Sequence, residues 1–211
     1  MGTAALRNSP EARLLAGLVA LGLDPALAGP LLRYLGELVI WNKAYNLTAV
    51  REPAEMITRH LLDSLVLLPH VGGRVLDVGA GAGLPGIPLA VANPQLQVTL
   101  LDSNGKKARF LRHVQRTLKL DNVEVAESRA EQFAADAPFD TVVSRAFGSL
   151  SDFCQAAGRL LADGGSLVAM KGKLERKELA GVPAGFVIQH THPLRVPGLD
   201  EERHAIVIAR A

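Results

Sequence analysis

Hydrophobic residues recur at helical spacing through the first third of the chain. Apolar positions at i, i+3 and i+4 predict one helix from Pro10 to Leu21, a second from Asp24 to about Trp41, and a third from about Pro53 to Leu68. Residues 41–48 are predicted to form a polar and aromatic loop. No strand pattern interrupts this region. We therefore predict that residues 1–70 form a helical extension packed on the rest of the chain, with a frayed tail over 1–9.

From residue 71 the pattern changes to short apolar runs that alternate with amphipathic stretches. Such alternation predicts an α/β fold over residues 71–211, with about seven strands, mostly parallel, and helices on both faces. The last two strands are expected to form an antiparallel hairpin with a long loop. The predicted strands are 75–78, 97–102, 123–126, 140–144, 166–171, 186–191 and 204–209. The predicted helices are 85–92, 104–119, 130–134, 149–161 and 173–180, with a turn over 163–165.

The first of these strands leads into a stretch rich in glycine. The apolar run 75–78 is followed by Gly79, Gly81 and Gly83, and Pro85 then fits the first turn of a helix. Glycine accepts positive φ and lets a ligand approach the backbone closely. Ligands of parallel sheets bind outside the carboxyl ends of the strands. The stretch therefore predicts a binding site for a nucleotide-like ligand.

Two acids narrow the identity of this ligand. Asp102 ends the next strand, 23 residues after Gly79, where a carboxylate suits ribose hydroxyls. Residues 81–86 match the dinucleotide pattern G-x-G-x-x-G. Asp77, however, precedes the first glycine by two residues and completes D-x-G-x-G-x-G, the pattern of S-adenosylmethionine (SAM) methyltransferases. An acid here suits the cationic amino group and sulfonium of SAM. The pattern thus favours SAM over a dinucleotide and over a tight turn without a ligand.

Composition and charge exclude several classes of protein. The 211 residues are 48% hydrophobic, which is enough for a sizeable core, and their formal charge is +2. A pI near 8.9 permits a nucleic-acid partner without requiring one. The single cysteine, Cys154, excludes an internal disulfide. There is no signal-peptide pattern and no apolar run of membrane-spanning length, so we expect a cytoplasmic monomer without a membrane partner.

Motifs along most of the chain resemble one family. The glycine stretch 77–90, DVGAGAGLPGIPLA, closely resembles that of the bacterial ribosomal RNA small subunit methyltransferase G family, also called glucose-inhibited division protein B. Tyr45, which stands where an aliphatic residue is expected, is a minor departure. The resemblance continues in WNK and NLTA within 41–49, HLLDSL at 60–65, LDS at 101–103 with Lys106, SRAF at 144–147, and KGK at 171–173.

This resemblance implies a Rossmann-like class I SAM methyltransferase fold and SAM-dependent methylation of N7 of one guanine in 16S rRNA. The partner would be 16S rRNA or a small ribosomal subunit particle. A SAM-dependent enzyme acting on a small molecule is the alternative, and an RNA-binding nucleotide sensor without catalysis is a third hypothesis. The resemblance places SAM contacts on Gly79, Leu84, the Ala130–Glu131 pair and Arg145. With the glycine-loop pattern, the expected cofactor-binding residues are Asp77, Gly79, Gly81, Leu84, Asp102, Ala130, Glu131 and Arg145.

The residues near the predicted site are compatible with methylation of guanine at N7. Guanine N7 has a free lone pair and no proton, so orientation and exclusion of water suffice without a general base. Arg145 follows the strand at 140–144 and is the candidate catalytic residue, orienting the guanine or the cofactor; its alternative role is an ion pair with Asp140 or Glu131. Phe147 is a candidate for base stacking or for the core.

Basic residues indicate where RNA would bind. Lys171, Lys173, Arg176 and Lys177 follow a strand whose carboxyl end faces the site, so we predict phosphate contacts there. The helix at 104–119 carries seven basic side chains and is either a second RNA surface or a solvated face. No metal site is expected, because the histidines at 190, 192 and 204 lack a carboxylate or cysteine at ligand spacing. The residues His60, Asp63 and Ser64 share one helix and do not suggest a hydrolase triad.

Overall fold

The computed structural model describes residues 9–145 and 147–211, and these residues form one seven-stranded sheet. The strand order is β3-β2-β1-β4-β5-β7-β6. Pairs among β1 to β5 are parallel, whereas β7 runs antiparallel to both of its neighbours. The strands are β1 Arg74–Val78, β2 Gln97–Leu101, β3 Val123–Ala126, β4 Phe139–Ser144, β5 Leu161–Lys171, β6 Phe186–Pro193 and β7 His204–Arg210. The predicted α/β class and the terminal antiparallel hairpin are confirmed.

Seven helices of the described part accompany the sheet. They are α1 Pro10–Ala20; α2 Ala28–Tyr45; α3, built from α-helical Pro53–Met56, π-helical Ile57–Leu62 and α-helical Asp63–Leu65; α4 Gly86–Ala92; α5 Gly105–Leu118; α6 Leu150–Ala157; and α7 Arg176–Ala180. Short 3₁₀ turns lie at Pro25–Leu27, Leu68–His70 and Gly158–Leu160. None of the helices at 9–145 and 147–211 is long and apolar enough to cross a membrane. Residues 1–8 of the predicted tail and Ala146 of the 144–147 motif lie outside the described residues.

Alternate residues of the strands face two hydrophobic clusters, one on each side of the sheet. On β1, Val75 joins the cluster that contains α1 to α5, whereas Leu76 and Val78 join the cluster that contains α6. The N-terminal helices therefore share a core with the helices that flank the glycine loop. The division of the chain at residue 70 stays a prediction.

Three local predictions were wrong. The loop expected over 41–48 begins only after Tyr45, because α2 continues to a left-handed Asn46 and the rings of Trp41 and Tyr45, one turn apart, stack at 5.3 Å. The helix expected over 130–134 is a turn. Arg159 donates to the carbonyls of Ala130 at 2.7 Å and Phe133 at 2.6 Å, and these hydrogen bonds stabilise the turn in place of a helix.

The third error concerns the start of β5. The predicted helix over 149–161 ends earlier, and the residues expected to turn at 163–165 lie inside the strand Leu161–Lys171. The pairing with β4 shifts register between Phe139 and Thr141, and Gly164 has φ +76°. Asp163-Gly164-Gly165 therefore forms an irregularity within the strand, as glycine in a strand often does.

Candidate active site

The glycine loop joins the end of β1 to the start of α4 and is tied to the end of β2. The N–H groups of Gly79 and Ala80 both donate to the carbonyl of Leu101, at 2.8 and 3.0 Å. Gly81 and Gly83 have φ of +59° and +88°, a backbone conformation that residues other than glycine rarely adopt. A Cβ on Gly83 would lie 2.5 Å from Ile87, whereas one on Gly81 would meet no atom closer than 3.7 Å. Gly83 is therefore required by packing, whereas a Cβ on Gly81 would make only ordinary contacts, with the Gly79 carbonyl and Lys107 Nζ.

Asp102 links this loop to the end of the neighbouring strand. Its Oδ2 accepts the Gly81 N–H at 2.9 Å, its Oδ1 accepts the Asn104 N–H at 2.8 Å, and Lys107 Nζ lies 3.6 Å from Oδ2. The two backbone donors fix the plane of the carboxylate. Asp102 thus presents a fixed acceptor beside the glycine loop, as the sequence predicted for a ribose-binding acid.

A cleft of about 370 Å³ opens at the carboxyl ends of the parallel strands β1 to β4. Four predicted cofactor residues line it: Gly79, Asp102, Ala130 and Glu131. The other lining residues are Val78, Leu101, Ser103, Lys107, Ser128, Arg129 and Phe147. Sequence reasoning missed Ser103 and Lys107 as site residues, although LDS with Lys106 belonged to the family pattern. It also missed Ser128 and Arg129, which carry no motif of their own.

The structure places two predicted cofactor residues inside the protein rather than on the cleft. Asp77 is completely buried; its Oδ2 accepts the Gly86 N–H at 2.8 Å, and its Oδ1 has no hydrogen-bond partner. Burial raises the pKa of Asp77 to about 7, against the opposing effects of the Gly86 hydrogen bond and of Arg145. Leu84 is 4% exposed and packs in the core. Asp77 therefore binds the backbone at the start of α4, and Leu84 anchors the loop in the core.

The N-terminal helices also hold this loop. The hydroxyl of Tyr34, on α2, donates to the carbonyl of Ala82 at 2.6 Å, and both groups are buried. Burial raises the pKa of Tyr34 above its ordinary value, so the hydroxyl stays protonated as a donor. The pattern along α2 predicted only that this residue belonged to a helix.

The family model described as rRNA small subunit methyltransferase G, GidB, matches residues 29–207. The chain belongs to this family. Over the full length of both proteins it is 54% identical to a Xanthomonas axonopodis pv. citri (strain 306) protein named ribosomal RNA small subunit methyltransferase G. A protein of the same name from Stenotrophomonas maltophilia (strain K279a) is 52% identical over 204 residues, which are 96% of each chain. The predicted family and the prediction of a methyltransferase are confirmed.

Solved structures show the same fold. TrmN from Thermus thermophilus aligns with a TM-score of 0.55 at 18% identity, covering 74% of this chain and 53% of TrmN. The precorrin-6y C5,15-methyltransferase of Geobacter metallireducens GS-15 aligns with a TM-score of 0.53 at 18% identity, covering 80% and 92%. At such identities the likeness concerns the fold alone. The sheet and its helices are those of class I SAM methyltransferases, as predicted.

In this rRNA small subunit methyltransferase G family member, Arg145 lies on a second cavity of about 390 Å³ rather than on the cleft. Its Nη1 donates to the Arg59 carbonyl at 3.1 Å and lies 3.2 Å from Asp63 Oδ2. Asp140 and Glu131, the partners considered from the sequence, do not form this ion pair: Asp140 instead accepts the Arg74 N–H at 2.7 Å. The acid that holds Arg145 comes from α3, whose role the sequence did not indicate.

Lys171 also lines the second cavity, and its ammonium group is already engaged. The Nζ donates to the carbonyls of Phe147 at 2.9 Å and Gly148 at 3.1 Å, and it lies 2.6 Å from Glu178 Oε1. With 14% of its side chain exposed, Lys171 holds the segment that follows β4, including the cleft residue Phe147. The other three predicted RNA contacts, Lys173, Arg176 and Lys177, are exposed.

The remaining candidates from the sequence occupy packing positions. Cys154 is buried on α6, and burial raises its pKa to about 11, which is unfavourable for a nucleophilic thiolate. His60 is buried, with Nε2 2.8 Å from Thr48 Oγ1 and Nδ1 2.9 Å from the Arg59 carbonyl. Burial lowers its pKa to about 4. Within the described ranges, no three His, Cys, Asp or Glu side chains are grouped to hold a metal ion.

Proposed function

We propose that this protein transfers the methyl group of SAM to N7 of one guanine in 16S rRNA. The observation that carries the proposal is the match to the rRNA small subunit methyltransferase G model over residues 29–207, which spans the glycine loop and the cleft beside it. The relatives at 52–54% identity carry a ribosomal RNA methyltransferase name, which favours rRNA over a small molecule as the substrate. Such a substrate would place the enzyme in the cytoplasm, and we propose that it acts as a monomer.

The described residues fit SAM. Asp102 offers a carboxylate, held by the N–H groups of Gly81 and Asn104, to ribose hydroxyls. Gly81 leaves its surroundings open, so a ligand can approach its backbone. Ala130 and Glu131 on the opposite wall, with Phe147, would border the adenine. When bound, SAM supplies an electrophilic methyl group on a sulfonium.

The roles of Asp77 and Leu84 would be indirect. The buried Asp77 carboxyl group accepts the Gly86 N–H at the start of α4 and, in its ionised form, places a negative charge beneath the loop. That charge would favour the cationic groups of SAM in the cleft above. Leu84 would support the loop by packing.

The protein has little chemistry to perform at guanine N7, because N7 carries no proton. Its contributions would be to hold the base in line with the methyl group and to exclude water. Arg145, which follows β4 and lines the second cavity, would orient the guanine or an adjacent phosphate through guanidinium N–H groups that do not bond to Asp63 or to the Arg59 carbonyl. Phe147, whose ring packs 5.1 Å from Phe153, would present its free side to the cleft.

RNA affinity would come from exposed cations around the cleft. Lys173, Arg176 and Lys177 are exposed after β5 and would contact phosphates, whereas Lys171 would act by holding the Phe147–Gly148 backbone. Helix α5 is the second candidate surface. Its Arg112 is paired with Glu127 at 3.0 Å, but Lys106, Arg109 and Arg116 are exposed and no ion pair forms with them among the described residues.

Methyl transfer to isolated particles tests this proposal. Small-subunit particles from cells that lack the gene would be incubated with the purified protein and SAM labelled in its methyl group. The RNA would then be digested to nucleosides. We expect the label in N7-methylguanosine, and none with the Gly81→Val variant. Label in another nucleoside, or no label in the RNA, would contradict the proposal.

A further inference from the structure

Asp63 lines the second cavity and uses both of its carboxylate oxygens. Its Oδ2 lies 3.2 Å from Arg145 Nη1, and its Oδ1 lies 2.9 Å from Arg203 Nε. Only 3% of its side chain is exposed, compared with 26% for Arg145 and 17% for Arg203. The acid is thus buried beneath two guanidinium groups that reach the cavity surface.

The two arginines come from distant parts of the chain. Arg145 follows β4, and Arg203 immediately precedes β7. Asp63 comes directly after the π-helical segment Ile57–Leu62 of α3, and π-helical turns occur frequently at functional sites. One buried carboxylate therefore sets the relative position of guanidinium groups from two loops at the same end of the sheet.

The charges that line the cavity are mostly positive. Among the described residues of the wall, Arg59, Arg145, Lys171 and Arg203 are cations and Asp63 is the only acid. Two further acids pair with these cations from outside the wall, Glu201 with Arg59 and Arg203 and Glu178 with Lys171. Arg203 also donates through Nη1 to the Glu202 carbonyl at 2.8 Å and through Nη2 to Glu201 at 3.0 Å, and Arg145 donates through Nη1 to the Arg59 carbonyl. Since an arginine has five N–H groups, both arginines keep donors beyond these contacts. A cavity of this kind suits an anionic group with several acceptor oxygens, such as a phosphate.

The surface ion pair next to this cavity provides a comparison. Glu201 contacts Arg203 Nη2 at 3.0 Å and Arg59 Nη2 at 2.6 Å, but 48% of its side chain is exposed. Exposed ion pairs contribute little, because water competes for both partners. Glu201 can therefore be changed without releasing the buried contact between Asp63 and the arginines.

We infer that Asp63 is a positioning residue, which holds Arg145 and Arg203 so that they bind a phosphate of the substrate RNA beside the cofactor cleft. The inference rests on the proposed function and assigns a role to the HLLDSL motif. Asp63 itself does not touch the RNA. Its carboxylate fixes the directions of the two guanidinium groups, and this fixed geometry holds the reacting base in place.

The test compares Asp63→Asn with Glu201→Gln in methyl transfer to small-subunit particles. Rates are expressed per molecule that binds SAM, which removes losses due to unfolded protein. We expect Asp63→Asn to lower kcat by about tenfold or more, the size of effect that follows loss of a charge-assisted hydrogen bond. SAM affinity should stay within twofold of wild type, because Asp63 does not line the cleft. Glu201→Gln should keep the wild-type kcat.

The KM for particles separates positioning from attraction. Asp63→Asn adds one net positive charge to the cavity, so RNA should bind at least as tightly and the salt dependence of KM should not weaken. A lower kcat with an unchanged or lower KM supports positioning, since a merely structural defect would reduce SAM-binding protein and activity in proportion.

Three outcomes overturn the inference. A kcat for Asp63→Asn within twofold of wild type shows that the arginines need no positioning acid. If that variant does not fold, Arg203→Gln decides: kcat should fall about tenfold with SAM affinity intact, and a wild-type kcat contradicts the role of the pair. If the wild-type protein itself methylates no RNA, the proposed function is wrong and the inference fails with it.

Discussion

The hydroxyl of Tyr34 donates a hydrogen bond of 2.6 Å to the carbonyl of Ala82, 48 residues further along the chain. This bond joins α2 of the N-terminal helices to the glycine loop that borders the cleft. The same helices share a hydrophobic cluster with α4 and α5. The N-terminal region is therefore part of the support of the cofactor site.

Tyr34→Phe should reduce both stability and cofactor affinity. It leaves the Ala82 carbonyl buried without its donor, which costs about 1–3 kcal/mol of unfolding free energy. The loop should also lose rigidity, so SAM should bind less tightly. Urea denaturation and calorimetry measure the two effects. Tyr45→Phe is the matched control, because Tyr45 is partly exposed and stacks on Trp41 through its ring. Equal effects of the two changes would contradict the assigned role.

Gly81→Val should abolish SAM binding, because its side chain would enter the space that borders the cleft. The change also introduces strain at φ +59°, so a control with the same strain is needed. Gly164 provides it: φ is +76°, no atom lies within 4 Å of an added Cβ, and the residue lies at the start of β5, away from the cleft. Gly164→Val should cost comparable stability and leave SAM affinity unchanged. Normal SAM binding by Gly81→Val would show that the ligand does not approach this backbone.

Asp77 should make stability fall as the pH rises. Its pKa is raised by burial from 3.8 to about 7, so the folded protein holds the proton more tightly than the unfolded chain does. This contribution is complete below about pH 4 and is lost by about pH 7. Relative to Asp77→Asn, which cannot ionise, the wild-type free energy of unfolding should decrease between pH 5 and pH 8 by about 2–3 kcal/mol, because part of the full contribution is already lost at pH 5. Denaturation curves of both proteins at the two pH values measure this, and parallel changes would contradict it.

RNA binding should be separable from SAM binding. Each phosphate contact that is lost should lower the slope of log affinity against log salt by about one. The double change Lys173→Ala with Arg176→Ala should therefore weaken binding to the particle and flatten the salt dependence of particle methylation. SAM affinity should stay intact. Arg109→Ala with Arg116→Ala removes two exposed cations of α5 for comparison. If only the α5 pair changes the slope, the RNA surface lies on α5 and not after β5.

The sheet and the cofactor loop could be predicted because their signals are local. A short apolar run followed by Gly79, Gly81 and Gly83 is compatible with few local structures, chiefly a strand that leads into a glycine loop. Asp102 ends the next strand, and it lies beside this loop because β1 and β2 are parallel neighbours. Parallel strands end at the same edge of a sheet, so Glu131, which follows β3, could also be placed near the cleft from strand order. Ala130 was expected there only because of the family resemblance.

The ion pairs and hydrogen bonds around the second cavity could not be predicted, because they join residues that are far apart in the sequence. Nothing in the sequence near Arg145 indicates that its partner is Asp63, 82 residues earlier, or that Arg203 shares that partner. Lys171 seemed a surface cation, yet it holds the carbonyls of Phe147 and Gly148. The two pairings of Asp63 arise where α3 packs over the ends of the strands, and periodicity within α3 does not define them.

The most direct test of the central claim is a map of N7-methylguanosine in 16S rRNA from cells with and without the gene. We predict one guanine that is methylated at N7 in the wild-type strain, unmethylated in the deletion strain, and restored by the wild-type gene but not by Gly81→Val. Identical N7-methylguanosine maps of the two strains would contradict the proposed function.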